Sequence, residues 1–96
     1  MNVIELRNKT LAARALRDTA ADAEFKTSPL RKYIDQQIQE AADNGEGKLS
    51  LNFYYAKKQA LEKWYGGATM AAALRHYQSE GFVAFPERVD IVISWM

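Results

Sequence analysis

The chain offers few residues that could carry chemistry, and its single histidine is the first to consider. His76 follows Arg75 on a predicted helix, and the sequence contains no second histidine and no cysteine. The acidic residues Asp18, Asp22 and Glu24 have helical spacing and no calcium-loop pattern. We therefore predict no metal site and no catalytic residue. We expect His76 to be a solvated or rim side chain, since a general base needs partners that the sequence does not place.

A glycine pair before a predicted helix is the second candidate. Gly66-Gly67-Ala68-Thr69 opens that helix, and a helix N-terminus offers free backbone amides to an anion such as phosphate. The pattern lacks the lysine of a P-loop and the spacing of a dinucleotide-binding loop. We favour a plain turn between helices. Nucleotide binding, with Lys57, Lys58 or Arg75 as phosphate contacts, is kept as an alternative.

Aromatic and basic residues are interleaved in residues 53–58, FYYAKK. Such a cluster could stack bases and hold phosphates, as single-strand binders do. If the alternation that precedes it continues as a strand, Phe53 and Tyr55 point toward the core and only Tyr54 points outward. This pattern favours an ordinary surface over nucleic-acid binding.

Composition narrows the class of protein without indicating a function. The 96 residues include 13 basic and 12 acidic side chains, interspersed, for a net charge of +1, so no field of one sign points to nucleic acid or an anionic membrane. No apolar run approaches the roughly 20 residues that span a bilayer, and no signal-peptide apolar region opens the chain. The lack of cysteine fits a reducing compartment. We expect one soluble domain, residues 1–96, with no cofactor and, because many apolar residues are alanine, a thin core.

Residues 1–23 contain neither glycine nor proline and predict a long first helix. Its apolar side chains are scattered, because Ile4 and Leu11 share one face whereas Leu6 and Leu16 point elsewhere. Such a helix gains little from packing on one side. It is either a peripheral helix with a solvated face or an element that binds a partner.

A second helix is predicted to begin at Ser28-Pro29, after a break over residues 25–27. Serine caps free amides and proline is tolerated in the first turn. Asn44-Gly45 supplies a C-terminal cap. The stripe expected to be buried comprises Leu30, Tyr33, Ile34, Ile38 and Ala41.

Residues 48–55 alternate apolar and polar side chains and predict a strand. Residues 56–65 then change to helical spacing, and Gly66-Gly67 ends that helix. A further helix is predicted from Ala68 or Thr69 up to the glycine at position 81. The side expected to be buried comprises Leu49, Leu51, Phe53 and Tyr55 in the strand and Met70, Ala73, Leu74 and Tyr77 in the last helix.

The end of the chain predicts a β-hairpin. Residues 82–85 are β-prone, Pro86-Glu87 reads as a turn or edge interruption, and a strand follows. Val92 interrupts the polar face of that strand, which indicates a central or doubly covered position. The side chains expected on its core face are Val89, Ile91, Ile93 and Trp95, with Asp90 and Ser94 opposite.

The order of elements predicts an α+β fold with two N-terminal helices, one strand, two short helices and a C-terminal β-hairpin, in which helices cover a small three-stranded sheet. Residues 38–45 (IQEAADNG), 74–83 (LRHYQSEGFV) and 91–95 (IVISW) resemble short uncharacterised proteins of tailed bacteriophages. Those proteins share a helix ending A-A-x-x-G, a strand, a helix ending G-F/Y-x-V, and a strand ending I-S-W. This chain departs from that pattern by its additional helical stretch over residues 56–65.

The resemblance implies a phage protein made in the bacterial host cytoplasm, which acts in the virion or on a host component, and it brings no catalytic residues. We therefore expect a non-enzymatic protein that binds viral structural proteins, as a small virion or assembly component, or one that inhibits a host enzyme or defence complex. Assembly with further copies of the chain is another alternative. The expected binding surface is the first helix (residues 1–25), if that helix is not simply peripheral, or the stretch over residues 56–65. The candidate partner-binding residues are Leu6, Arg7, Arg14, Leu16, Arg17, Lys57, Lys58, Lys63 and Trp64.

Overall fold

In a computed structural model, residues 2–60 and 69–96 are described, and within them the chain forms four helices and a three-stranded antiparallel sheet. The predicted α+β class and the order of its elements are confirmed. The elements are α1 (Val3–Lys26), α2 (Pro29–Asp43), β1 (Lys48–Asn52), α3 (Phe53–Gln59), α4 (Met70–Ser79), β2 (Val83–Glu87) and β3 (Asp90–Ser94).

The junction between α1 and α2 has the predicted cap, and its break is confined to Thr27-Ser28 instead of residues 25–27. Ser28 caps α2, because its Oγ accepts the Arg31 amide at 3.2 Å and donates to the Phe25 carbonyl at 2.8 Å. Helix α1 continues to Lys26, past the expected end at residue 23, because burial of Phe25 stabilises an additional turn. At the other end of α2, Gly45 has a φ of +84° and lies in the predicted cap.

The predicted strand over residues 48–55 is wrong at its end. Strand β1 stops at Asn52, whose side-chain oxygen accepts the Tyr55 amide at 2.9 Å and so caps α3. Phe53 is buried as the first residue of that helix, while Tyr55 is 56% exposed instead of facing the core. The predicted helix over residues 56–65 thus starts three residues earlier and ends at Gln59, while the predicted Gly66-Gly67 turn lies outside the described residues.

Helix α4 begins and ends close to the predicted positions. The Thr69 side chain accepts the Ala72 amide at 3.2 Å, and Gly81, with a φ of +95°, follows the last turn. Ala72, Ala73 and Tyr77 form its buried side, whereas the predicted Met70 and Leu74 are only partly buried at its margin.

The sheet has the strand order β1-β3-β2, so β3 is the central strand. Ile91 and Ile93 are fully buried and belong to the core beneath the helices, while Val92 on the other face is only 6% exposed. Its neighbours across the sheet are Ser50 and Phe85. The prediction of a central position from Val92 is confirmed.

The hairpin turn lies two residues later than predicted. Pro86 is within β2, opposite Ile91, and Glu87 pairs with Asp90, so the connection is Arg88-Val89, in which Arg88 has a φ of +58°. An edge strand tolerates proline because one side of it carries no ladder hydrogen bonds. Val89, predicted to face the core, is consequently in the turn and exposed.

A chain of aromatic rings joins the helices to the sheet. Phe25 of α1 lies against Tyr77 with ring centroids 5.9 Å apart, Tyr77 against Phe82 at 5.7 Å, and Phe82 against Trp95 at 6.3 Å. Edge-on contacts of this kind add about 0.5–1.5 kcal/mol each beyond area burial. The core therefore runs from the end of α1, through α4, to the end of β3.

The molecule is elongated because α1 extends beyond the other elements. Its principal extents are 57 × 29 × 23 Å, and a helix of 24 residues is about 36 Å long. Only its last third packs on α4 and α2, where its buried residue, Phe25, lies. The remainder projects from the body of the protein.

Candidate functional site

The attachment of α1 to α4 determines which part of α1 is available to a partner. Arg75 donates from Nε to Asp22 Oδ1 at 2.9 Å, with Nη2 at 2.7 Å from the same oxygen and 4.0 Å from Asp18. The hydrogen bond to Asp22 raises the pKa of Arg75 above its ordinary value. This cluster and Phe25 hold the C-terminal end of α1 on α4.

Residues 3–17 of α1 are all exposed, and we call them the free half of α1. Isolated apolar residues on a surface are ordinary, but several within about four turns of one helix are typical of an interaction surface. Its five large apolar side chains have between 48% and 75% of their surface exposed: Val3, Ile4, Leu6, Leu11 and Leu16.

Five of the candidate partner-binding residues lie on the free half. Leu6, Arg7, Arg14, Leu16 and Arg17 are exposed there. The turn of 100° per residue places the two leucines on a different side of the helix from Arg7 and Arg14. The structure thus brings these residues onto one projecting segment, but not into one patch.

The candidates on α3 are separate from those on α1, because α3 packs on α2 and β1 whereas α1 packs mainly on α4. Lys58 is exposed, while Lys57 is half-buried with its Nζ 5.9 Å from the centre of the Phe53 ring. Lys63 and Trp64 lie outside the described residues.

Both Tyr54 and Tyr55 are 56% exposed beside Lys58. The expectation that Tyr54 alone points outward is therefore wrong, because residues 53–59 are helical. Helix α3 presents two tyrosines and a lysine to solvent.

Five ionisable side chains line a small cleft between α2 and α4: Arg31, Asp35, His76, Tyr77 and Glu80. The cleft has a volume of about 250 Å³, below the range of about 300–1,000 Å³ that is usual for ligand pockets. The Tyr77 hydroxyl donates to Asp35 Oδ1 at 2.8 Å, and Arg31 Nε lies 3.5 Å from Asp35 Oδ2. Burial raises the pKa of Tyr77 well above its ordinary value, so the hydroxyl remains a proton donor. These contacts tie α2 to α4.

His76 lines the same cleft with only 8% of its side chain exposed, so of the two predicted positions it has a rim position and not a solvated one. Its ring lies 5.2 Å from that of Phe25 and 4.9 Å from that of Tyr77. Burial lowers the pKa of His76 despite the Glu80 carboxylate 3.7 Å from Nε2. Among the described residues, no serine, threonine or cysteine lines this cleft.

A second exposed apolar surface lies on the outer face of the sheet, and it was not predicted from the sequence. Val83 is 62% exposed and Phe85 45% exposed, and Phe85 is opposite Val92 across the sheet. These residues alternate with those that face the helices. Strand β2 has apolar residues on both of its faces. In a strand of five residues, this pattern is hard to distinguish from that of a strand buried on both faces.

Within residues 2–60 and 69–96, no group of three or more histidine, aspartate and glutamate residues is placed to hold a metal ion. The helices in these two ranges are all too short or too polar to cross a membrane. No protein-family model, curated protein or solved structure matches this chain.

Proposed function

We propose that the protein is non-enzymatic and acts by binding another protein through the free half of α1, as a small structural or assembly component of a tailed-phage particle. The observation that carries the proposal is the exposure of five large apolar side chains on a segment that projects from the body. The resemblance to phage proteins supplies the setting.

The energetics of α1 support binding through this segment. A helix of about 15 residues is marginal in water when nothing packs on it. Burying apolar surface contributes roughly 25 cal/mol per Å², so covering the side chains of the free half would stabilise both the helix and the complex. Such a segment gains order and burial together when a partner covers it.

Mass spectrometry of purified particles of the encoding phage tests the proposal. The chain should be present at a fixed stoichiometry, and Leu6→Glu combined with Leu16→Glu should remove it from particles while leaving the body folded. Gln36→Glu, on an exposed position of α2, is the matched control for added negative charge and should be incorporated normally. A chain that is absent from particles would rule out the structural role.

An inhibitor of a host enzyme or defence complex is the alternative, and it uses the same surface. The two functions differ in the partner. Affinity purification of the intact chain from infected cells should recover viral structural proteins under the first and one stoichiometric host protein under the second. Recovery of the host protein, with none of this chain in particles, would favour the alternative.

Binding of a nucleic acid or a nucleotide is a second alternative, and the surface of α3 favours it. Tyr54 and Tyr55 are exposed beside Lys58, and stacking contributes about 1–3 kcal/mol per base in single-strand binders. If the alternative is right, a fluorescent oligo-dT should bind and Tyr54→Ala with Tyr55→Ala should weaken the binding. An oligonucleotide that does not bind at low salt would eliminate it.

A further inference from the structure

One face of α1 continues from the body into the free half with an uninterrupted spacing. Phe25, Asp22 and Asp18 contact α4 through His76, Tyr77 and Arg75, as described above. Steps of four and three residues keep a helix face in line. Continued toward the N-terminus in the same alternating steps, this face comprises Ala15, Leu11, Asn8 and Ile4, which we call the free seam.

The free seam is the uncovered part of an interface that the protein already uses. From Asp18 to Phe25, the face is occupied by α4, which begins at Met70. Toward the N-terminus, Ile4 is 68% exposed and Leu11 55% exposed. The seam is thus in line with an established helix–helix contact, and its side chains are exposed.

Charge identifies the kind of helix that fits. The free half has four basic residues and one acidic residue, a net charge of +3, whereas the whole chain has +1. Arg7 and Arg14 each precede a seam residue, at the positions that flank the seam of a coiled coil. A partner helix would therefore place its own flanking side chains opposite these two arginines.

A second copy of the chain fits this seam poorly. An antiparallel pair of free seams would align Ile4 with Ala15 and Asn8 with Leu11. It would also bring Arg7 of one copy near Arg14 of the other and oppose two segments of net charge +3. Like charges at flanking positions disfavour a coiled-coil pair. The exposed Leu6 and Leu16 are off the seam, so α1 also lacks the single broad apolar face of a helix that lies on a membrane.

We infer that the free seam binds an acidic α-helix of a partner protein, with aliphatic side chains along the seam and glutamate or aspartate opposite Arg7 and Arg14. This inference rests on the proposed function and specifies its partner. About two heptads of contact, one of them with Asn8 in the seam, predict a weak and reversible pair that becomes stable through repetition in an assembly.

Two synthetic helical peptides of about three heptads test the inference with the full chain. Both have leucine at the seam positions; the acidic probe has glutamate at the flanking positions and the basic probe lysine. The acidic probe should bind at least about tenfold more tightly, with an affinity that falls as salt is added. Arg7→Glu with Arg14→Glu should reverse that preference.

The seam itself is tested by a matched pair of substitutions. Leu11→Ala should weaken binding of the acidic probe, whereas Thr10→Ala, at an exposed position on the same half but off the seam, should leave it unchanged. Equal losses, or probes that bind irrespective of charge, would overturn the inference. So would a dimer of the chain alone that Leu11→Ala dissociates, or tighter binding to phosphatidylserine vesicles or oligo-dT that Leu11→Ala weakens.

The proposed function has a separate outcome. If neither probe binds while Leu6→Glu with Leu16→Glu still excludes the chain from particles, the free half is a binding segment and the acidic-helix inference is wrong. If the acidic probe binds as expected but the chain is absent from particles, the acidic-helix inference is supported and the structural role in the particle is wrong.

Discussion

Tyr77 illustrates how single side chains join elements that are distant in the sequence. It is only 1% exposed, with Phe25 and Phe82 against its ring and Asp35 bonded to its hydroxyl. The burial of Tyr77 was predictable from helical spacing. Its hydroxyl partner was not, since Asp35 is 42 residues away and lies on what the pattern of α2 presents as the solvent side.

Replacing Tyr77 by phenylalanine tests the hydrogen bond without disturbing the packing. Tyr77→Phe should lower the free energy of unfolding by about 1 kcal/mol, because the lost bond is to a carboxylate that remains partly hydrated. Urea denaturation measures the change, and Tyr54→Phe, at an exposed position, is the control expected to be neutral. No further loss should occur in an Asp35→Ala background, and a full additional loss there would contradict the assigned pair.

His76 predicts how stability depends on pH. Burial lowers its pKa in the folded protein, so the unfolded chain, with a histidine pKa of about 6.5, takes up a proton first as the pH falls. The free energy of unfolding should therefore decrease as the pH is lowered through about 6.5. Of the groups that surround the ring, Glu80 and Asp35 oppose this shift, whereas Arg31 and Lys26 reinforce it.

Urea midpoints between about pH 7.5 and pH 5.5 measure this dependence. In a His76→Gln variant the decrease across this range should be smaller than in the parent chain. An equal decrease in both proteins would show that other groups are responsible.

At the scale of elements, α1 combines a docked end with a half that lacks packing. Its N-terminus is capped by Asn2, which accepts the Glu5 amide at 2.9 Å, and Thr10 and Thr19 donate to carbonyls one turn earlier. These are local bonds. Because local bonds alone leave a short helix marginal, the stability of α1 should differ along its length.

Amide hydrogen exchange on the isolated protein should show this difference directly. Residues 3–17 should exchange rapidly and residues 18–26 slowly, with protection spreading into the free half when the acidic probe binds. Uniform protection along α1 in the absence of any partner would mean that the free half is already covered.

The beginning of α3 shows why an element boundary was predicted wrongly. Leu49, Leu51, Phe53 and Tyr55 alternate as a strand does, but Phe53 and Ala56 also have helical spacing. Both patterns were present, and the cap formed by Asn52 decides between them. Asparagine favours such caps, so this was the signal that could have been used.

At the scale of the whole molecule, the projection of α1 gives a measurable shape. The Cα radius of gyration is 15.5 Å, compared with about 12.5 Å for a compact chain of this length. Small-angle scattering from the monomer should therefore give a value near 15.5 Å. A value near that of a compact chain would show that α1 folds back on the body in solution, which would contradict the free half as a binding segment.

The class of fold, the caps at Ser28 and Asn44-Gly45, and the central position of β3 follow from the amino-acid sequence alone. These features depend on hydrogen bonds and periodicities within a few residues, which a sequence displays directly. Which half of α1 is covered depends on tertiary structure, through the Arg75–Asp22 pair across 53 residues, and so does the position of His76 against Phe25 and Tyr77. Those outcomes depend on which distant surfaces meet, and the local pattern of α1 does not distinguish its covered half from its exposed half.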